Sequence, residues 1–391
     1  MSLPSELLDR ERQFAAAFRR AALDGVRLDP AQVEKLTAEH TEAREASRRR
    51  AEALSDGQIT NPKSNPQVGP CLAERGYQLP HSPRTGRPGA GKGVLEPLAE
   101  AGDELAKALL AYRHADTALG LLLDPRTELI RHGDGRVRTS ILTLSANTGR
   151  TSSRNENLQQ VSRQGGMRAC HLAEPGCMVV SADFASVEVR VGAALSGDEG
   201  LKRMIAMGDL YPDRKKEFDL HWIAAQTVFG KDATKEDRYN SKRYIFRRMY
   251  GGEPVTPVMQ QVFAAFNQIA PGYAAWDQVQ RNYARTKGAF FQAYSGRVIW
   301  LPKNAEHAAG NYMIQGTARE FLVDAVAKWQ RGKWADHVII PVHDEVIVFD
   351  IPEDEADAAT AFLVECMTTS INGVSIIAEA NPPSPFWLDA S

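Results

Sequence analysis

Two acidic positions and one four-residue ladder are the parts of this sequence best suited to chemistry. Asp183 closes the apolar run CMVVSAD at 177–183, and Asp344, with Glu345 beside it, lies between two apolar runs in HVIIPVHDEVIVFD at 337–350. A carboxylate at the C-terminal end of a buried strand is well placed to face a cleft. The same residue can cap a following helix, and an aspartate in a tight turn often bonds its own backbone. If the fold brings the two acids together, their oxygens suit Mg²⁺, which keeps waters and accepts substrate phosphates as further ligands. Two such ions about 3.5–4 Å apart can activate an attacking oxygen and stabilise a leaving one.

The ladder is RYNSKRYIFRRMYGG, residues 238–252, in which Arg238, Lys242, Phe246 and Tyr250 recur every fourth position. On a helix, residues four apart are neighbours, so two cations and two aromatics form one stripe. The cations suit phosphates and the rings suit a sugar or base. A solvated basic face beside a core aromatic pair has the same letters.

These residues need elements to carry them. CMVVSAD reads as a buried strand and ASVEVRVGAAL directly after it as a helix. The runs around His343-Asp344 read as a hairpin with a polar tip. Several helical patterns fill 217–285. Residues 5–55 are rich in Ala, Glu, Arg and Leu and read as mostly helical, punctuated by Asp24-Gly25 and Pro30. Asn, Pro, Gly and Ser dominate 55–92, a loop-rich stretch around one short helix near Val68–Arg75, and helix returns over Leu95–Leu122. RVRTSILTL reads as a strand over Val137–Leu144. GAGKG at 89–93 lacks the Ser or Thr that a phosphate loop needs after its lysine.

The chain has 391 residues, 43% hydrophobic and 25% charged, enough apolar surface for a sizeable core. Its net charge of −2 does not single out a nucleic-acid binder, yet acidic outer faces can balance a basic cleft. The four cysteines lack metal-type spacing and read as reduced structural thiols, which favours a cytoplasmic setting. The first residues, with charges throughout and no uninterrupted apolar run, read as neither a signal peptide nor a membrane span.

Arg-x-x-x-Lys-x-x-x-Phe-x-x-x-Tyr-Gly, from Arg238 to Gly251, resembles the nucleotide-binding helix signature of family A DNA polymerases. DFASVEVRVGAALSGD is similar to the family's first palm motif and PVHDEVIVF to its last. TGRTSSRNENLQQVSR, DLHWIAAQTVFG, AYSGRVIWLP and NYMIQGTARE have counterparts in the same order, and the likeness runs over roughly residues 20 to 391.

The resemblance implies an α+β right-hand polymerase: a thumb-like helical region over 1–128, palm over 129–195, fingers over 196–292, and a second palm segment over 293–391. It implies that Asp183 and Asp344, with the Phe184 carbonyl, hold two Mg²⁺ ions (Mn²⁺ as a substitute), with Glu345 as an accessory acid. Arg238, Lys242 and His221 match triphosphate ligands. Phe246 matches the residue that packs on the incoming nucleotide, Tyr250 the one that stacks at the templating position, and Glu188 the steric gate against a 2′-hydroxyl. Arg150, Asn311, Gln315 and His343 match contacts to primer and template. The implied partners are primer-template DNA and deoxynucleoside triphosphates, with a separate exonuclease, helicase or processivity factor alongside a monomeric enzyme. About twenty residues precede the thumb-like sequence, so no proofreading domain is expected there, as in a phage-type replicase. Three departures stand out: Arg247 and Arg248 follow Phe246 where the family usually has Gly and a small or apolar residue. Pro341 and Ser186 each replace a usual Gln.

Overall fold

The computed structural model describes residues 5–81, 86, 88–122, 133–162, 165–291 and 294–388. At its centre is a four-stranded antiparallel sheet in the order Ala378–Ala380, Cys177–Phe184, Glu345–Pro352, Val338–Val342. The expected strand and hairpin are both present. The register sets Asp183 opposite Glu345 and Ala182 opposite Val346. The hairpin turns on His343 and Asp344, and His343 takes a left-handed φ of 57°, which lets two residues reverse the chain.

Strand alternation gives this sheet two buried faces. Val180, Ala182, Val346 and Val348 pack with the helices Val187–Ser196, Ala309–Trp329 and Ala356–Met367. Val179, Ile347 and Phe349 pack on the other face with Met167, Cys170 and Trp387. The first core continues into the helices of 220–273 through Leu220, Ala224, Ile245, Met249, Val262, Phe266 and Tyr273. The helix Lys235–Met249 is therefore anchored by Ile245 and Met249 to the same core as the sheet.

A separate core holds the helical region: Ala51, Ile59, Val68, Leu72, Leu95, Leu105 and Leu109. Its long helices are Pro30–Leu54 and Glu104–Leu122. Asp29 caps the first, accepting from the amides of Ala31 and Gln32 at 3.0 and 3.2 Å. The short helix expected near Val68 spans Asn65–Glu74. Helix over 95–122 is interrupted: Lys92–Glu100 ends, Gly102 turns the chain at φ 94°, and Asp103 accepts from the Ala106 amide at 2.6 Å to start the next helix. This region touches the helix Lys235–Met249 through Arg243, which pairs with Glu100 and, at 3.1 Å, with Glu96.

Residues 5–28 pack with the sheet region. Phe14 and Phe18 enter its core, and Val26–Leu28 forms a strand between Arg136–Val137 and His171–Leu172. The expected strand over Val137–Leu144 divides into Arg136–Val137 and Ser140–Leu142, which pair with different partners. Buried Thr139 separates them, bonding to the Ala21 and Glu156 carbonyls. The expected boundaries at 128/129 and 292/293 lie outside the described residues. All four cysteines are free thiols. Among the described residues, no helix is long and apolar enough to cross a membrane.

Candidate active site

The ladder residues lie on the helix Lys235–Met249, with Tyr250 at its end. Its start is a capping box: the Thr234 hydroxyl accepts from the Asp237 amide at 3.1 Å and Asp237 accepts from the Thr234 amide at 2.8 Å. Ser241, Ile245 and Met249 form the buried face, leaving Lys242, Phe246 and Tyr250 along an open cleft of about 660 Å³ with Tyr239, Arg243, Arg247, Gly252 and His307. Gly251 ends the motif at φ 81°, and a Cβ there would run into the His307 carbonyl.

The helix is linked to the sheet acids by consecutive contacts. Arg150 donates to Asp344 at 3.1 Å and to Glu188 at 3.0 Å. The Tyr250 hydroxyl donates to Glu188 at 2.6 Å. The rings of Tyr250 and Phe246 lie 5.9 Å apart, and those of Phe246 and His221 5.8 Å apart. Asp219, two residues before His221 in the chain, accepts from Arg238 at 2.5 Å and caps the helix Leu220–Phe229. Burial pushes the Glu188 carboxyl up, against the pull of Arg150, and burial with Glu188 also raises Tyr250. Arg150 is raised: burial opposes its charge, but Asp344 and Glu188 outweigh that.

Asp183 and Asp344 end up side by side. The register places Asp183 across from the residue after Asp344, and the Phe184 amide donates to the Asp344 carbonyl at 3.1 Å. Two half-buried carboxylates at one sheet end form a hard-oxygen donor set, and the Arg150 guanidinium already places a positive charge against Asp344. These residues fit Mg²⁺ or Mn²⁺. Among the described residues no three acids, imidazoles or thiols converge as a closed cage. A two-acid site leaves coordination positions for water and phosphate.

Asn311 and Gln315 are half-buried on the helix Ala309–Trp329. Their row continues to Ala318 and Leu322, which line a small pocket with Arg150, Phe184, His343 and Asp344. His343 itself is exposed at the turn. The Phe184 side chain is buried in the core.

Glu345 is wholly buried, and both of its carboxylate oxygens accept from Arg168 in an internal ion pair. Sequence reasoning passed over Asp219, although an aspartate just before the apolar run LHWIAA is a helix-start signal. Arg168 carried no local signal.

The departing arginines have structural partners. Arg248 donates to buried Asp277 at 2.8 Å, beside Arg281 at the same distance. Arg247 donates to the Glu253 carbonyl at 2.8 Å, closing the turn after the helix. Arg248→Ala is expected to cost about 2 kcal/mol, read from the urea midpoint, because it removes one charged hydrogen bond from a buried acid that keeps Arg281. Pro341 keeps its carbonyl in use, accepting from Gln159 at 3.0 Å.

Burial pushes His221 down to about 4, with Lys242 and Arg238 adding to the shift and Asp219 opposing it. A histidine in an unfolded chain titrates near 6.5. Between about 6.5 and 4 the unfolded chain therefore binds a proton that the fold refuses, and stability falls as pH drops through that window. His221→Gln is expected to flatten this slope in urea unfolding at pH 4.5 to 7; an unaltered slope would contradict the assignment.

The model of DNA polymerase family A matches residues 30–381. The thermostable DNA polymerase I of Thermus filiformis is 28% identical, over 91% of this chain and 45% of that protein. The DNA polymerase I of Pseudomonas aeruginosa is 29% identical, over 90% and 41%. The DNA polymerase of Mycobacterium phage L5 is 27% identical, over 83% and 53%. The chain thus spans about half the length of these relatives. A solved structure described as the POL domain of Pol1 from M. smegmatis, in complex with DNA primer-template and dNTP, superposes with a TM-score of 0.78 over 98% of this chain and 70% of that one, at 23% identity. The fold is the right-hand polymerase fold, and with the family model spanning nearly the whole sequence, the chain belongs to DNA polymerase family A.

Proposed function

We propose that the chain is a template-directed DNA polymerase that extends a primer with deoxynucleotides. The observation that carries this reading is the unbroken set of contacts from Asp344 through Arg150, Glu188, Tyr250 and Phe246 to His221. It lines up an acidic sheet end, a gate, two rings and a cationic helix start in the order of a nucleotide's parts. The primer O3′ attacks the α-phosphorus, a new O3′–P bond forms, the bond to the pyrophosphate oxygen breaks, and the hydroxyl proton leaves to solvent. Asp183 and Asp344, with the Phe184 carbonyl, would hold Mg²⁺ or Mn²⁺, which when bound makes the hydroxyl a better nucleophile and offsets phosphate charge.

The chain's own residues supply the rest. Lys242 and Arg238 meet the triphosphate where negative charge builds. Neutral His221 offers a donor beside them. Phe246 packs on the nucleotide, and Tyr250 fills the templating position until a template base displaces it. Glu188, tied down from both sides by Arg150 and Tyr250, is held rigidly enough to exclude a 2′-hydroxyl. Asn311, Gln315, His343 and Arg150 face the primer terminus, where minor-groove acceptors common to every base pair allow contact without reading sequence.

Primer extension tests the reading. Metal-dependent, template-directed addition of deoxynucleotides with release of pyrophosphate supports it. Preference for ribonucleotides would make the chain an RNA polymerase, and DNA binding without extension would make it a binding protein with a relic site.

A further inference from the structure

We propose that Arg168, seated on Trp387, is a positioning residue for the acidic site: it neutralises Glu345 and holds the turn that carries Asp344, leaving Asp183 and Asp344 as the acids open to a cation. This rests on the polymerase reading for what the site does, but not for its charge balance.

Asp183, Asp344 and Glu345 stand at adjoining positions at this end of the sheet, and Glu379, opposite Asp183 on its other side, is paired with Lys215 at 2.9 Å. Glu345 directly follows Asp344 in the chain and stands opposite Asp183 in the register. Left uncompensated, Glu345 would repel both and compete with them for any cation between the strands. Arg168 removes that competition. Its two terminal nitrogens donate to the two Glu345 oxygens at 3.1 and 2.8 Å, and both side chains are 0% exposed. The fork geometry fixes the carboxylate's plane as well as its charge.

Arg168 is itself held on further sides. Its guanidinium carbon lies 4.4 Å over the Trp387 ring, and a terminal nitrogen donates to the Leu388 carbonyl at 3.2 Å. The Trp387 amide donates to the His171 carbonyl at 2.9 Å, and the His171 ring nitrogen Nδ1 lies 3.1 Å from the Arg168 carbonyl. The segment after the last strand therefore closes beneath the hairpin and presses the arginine against Glu345. Stability alone does not call for this device, because apolar residues of similar volume are often as stable as a buried ion pair. The pair sits next to Asp344, where both charge and position bear on the site.

Charge compensation predicts opposite effects from the two partners. Mn²⁺ binding to the folded chain, without DNA or nucleotide, is measured by electron paramagnetic resonance. Arg168→Met leaves an extra negative charge and is expected to tighten Mn²⁺ binding roughly tenfold. Glu345→Gln leaves an extra positive charge and is expected to weaken it roughly tenfold. The double variant, with neither charge, returns near the parent affinity. Where Arg168→Met does not fold, Glu345→Gln and the double variant carry the comparison. In primer extension, all three lower kcat by about ten- to a hundredfold while the nucleotide KM changes less than threefold, since the turn is loosened but the nucleotide helix is untouched. Arg168→Lys restores the Mn²⁺ affinity but only part of kcat, because it lacks the fork. The proposal is overturned if Arg168→Met and Glu345→Gln shift Mn²⁺ affinity in the same direction, or if a folded Glu345→Gln variant matches the parent in both affinity and kcat. A parent chain that binds Mn²⁺ but extends no primer would sink the polymerase reading while leaving the affinity test of Arg168 in force.

Discussion

Asp183→Ala and Asp344→Ala are each expected to lower the primer-extension rate by roughly 10³-fold or more. The physical basis is loss of the hard-oxygen donor set: a bound cation is worth several kcal/mol of charge stabilisation at the reacting phosphate, and each 1.36 kcal/mol is a factor of ten. Both variants should remain folded. Asp344 is half-buried at a turn, and when it is removed Arg150 keeps Glu188 as its partner. Asp183 is the penultimate residue of the strand Cys177–Phe184, whose backbone pairing to Glu345–Pro352 and Ala378–Ala380 does not use the carboxylate. The measurement is single-turnover extension beside a melting curve. Removing both acids should cost little more than removing one, because residues that act as a unit are not additive. Undiminished extension by either folded single variant would remove that residue from the site.

Lys242→Ala carries the second largest effect, a drop of roughly 10²–10³ in kcat/KM for the nucleotide, the scale seen when one donor to a developing negative charge is lost. Lys242 is exposed along the cleft, and among the described residues no carboxylate pairs with it. Arg238 differs: Asp219 holds it at 2.5 Å, so its charge is partly compensated before a triphosphate arrives. Arg238→Ala should therefore cost less than Lys242→Ala. Alanine is a better helix former than lysine, so the thermal midpoint should hold or rise slightly. Lys242→Arg should recover most of the activity, since a cation at that position is what the phosphates need. Equal losses from Lys242→Ala and Arg238→Ala would argue that Asp219 does not restrain the arginine.

Much of the site was legible in the letters because its logic is local. Four-residue spacing aligns Lys242, Phe246 and Tyr250 on one stripe whatever surrounds the helix. Thr234 and Asp237 start that helix within one turn, and two apolar runs around His343-Asp344 make a hairpin by themselves. Local periodicity and turn chemistry act between neighbours in the chain, so sequence alone determined where the acids and the ladder lie along it. Tertiary structure decided what those residues do with their partners. Glu345 meets Arg168 across 177 positions, Arg150 meets Asp344 across 194, and Arg248 meets Asp277 across 29. A pairing of that kind has no periodicity to announce it. A buried charge takes whichever opposite charge the packed core brings within reach, and burial then makes the choice costly to undo. For the same reason Glu345, an acid beside an acid in the sequence, became an internal anchor. The strand Val26–Leu28 likewise joined the sheet region through Arg136–Val137 and His171–Leu172, pairings that form only after the chain has folded back on itself.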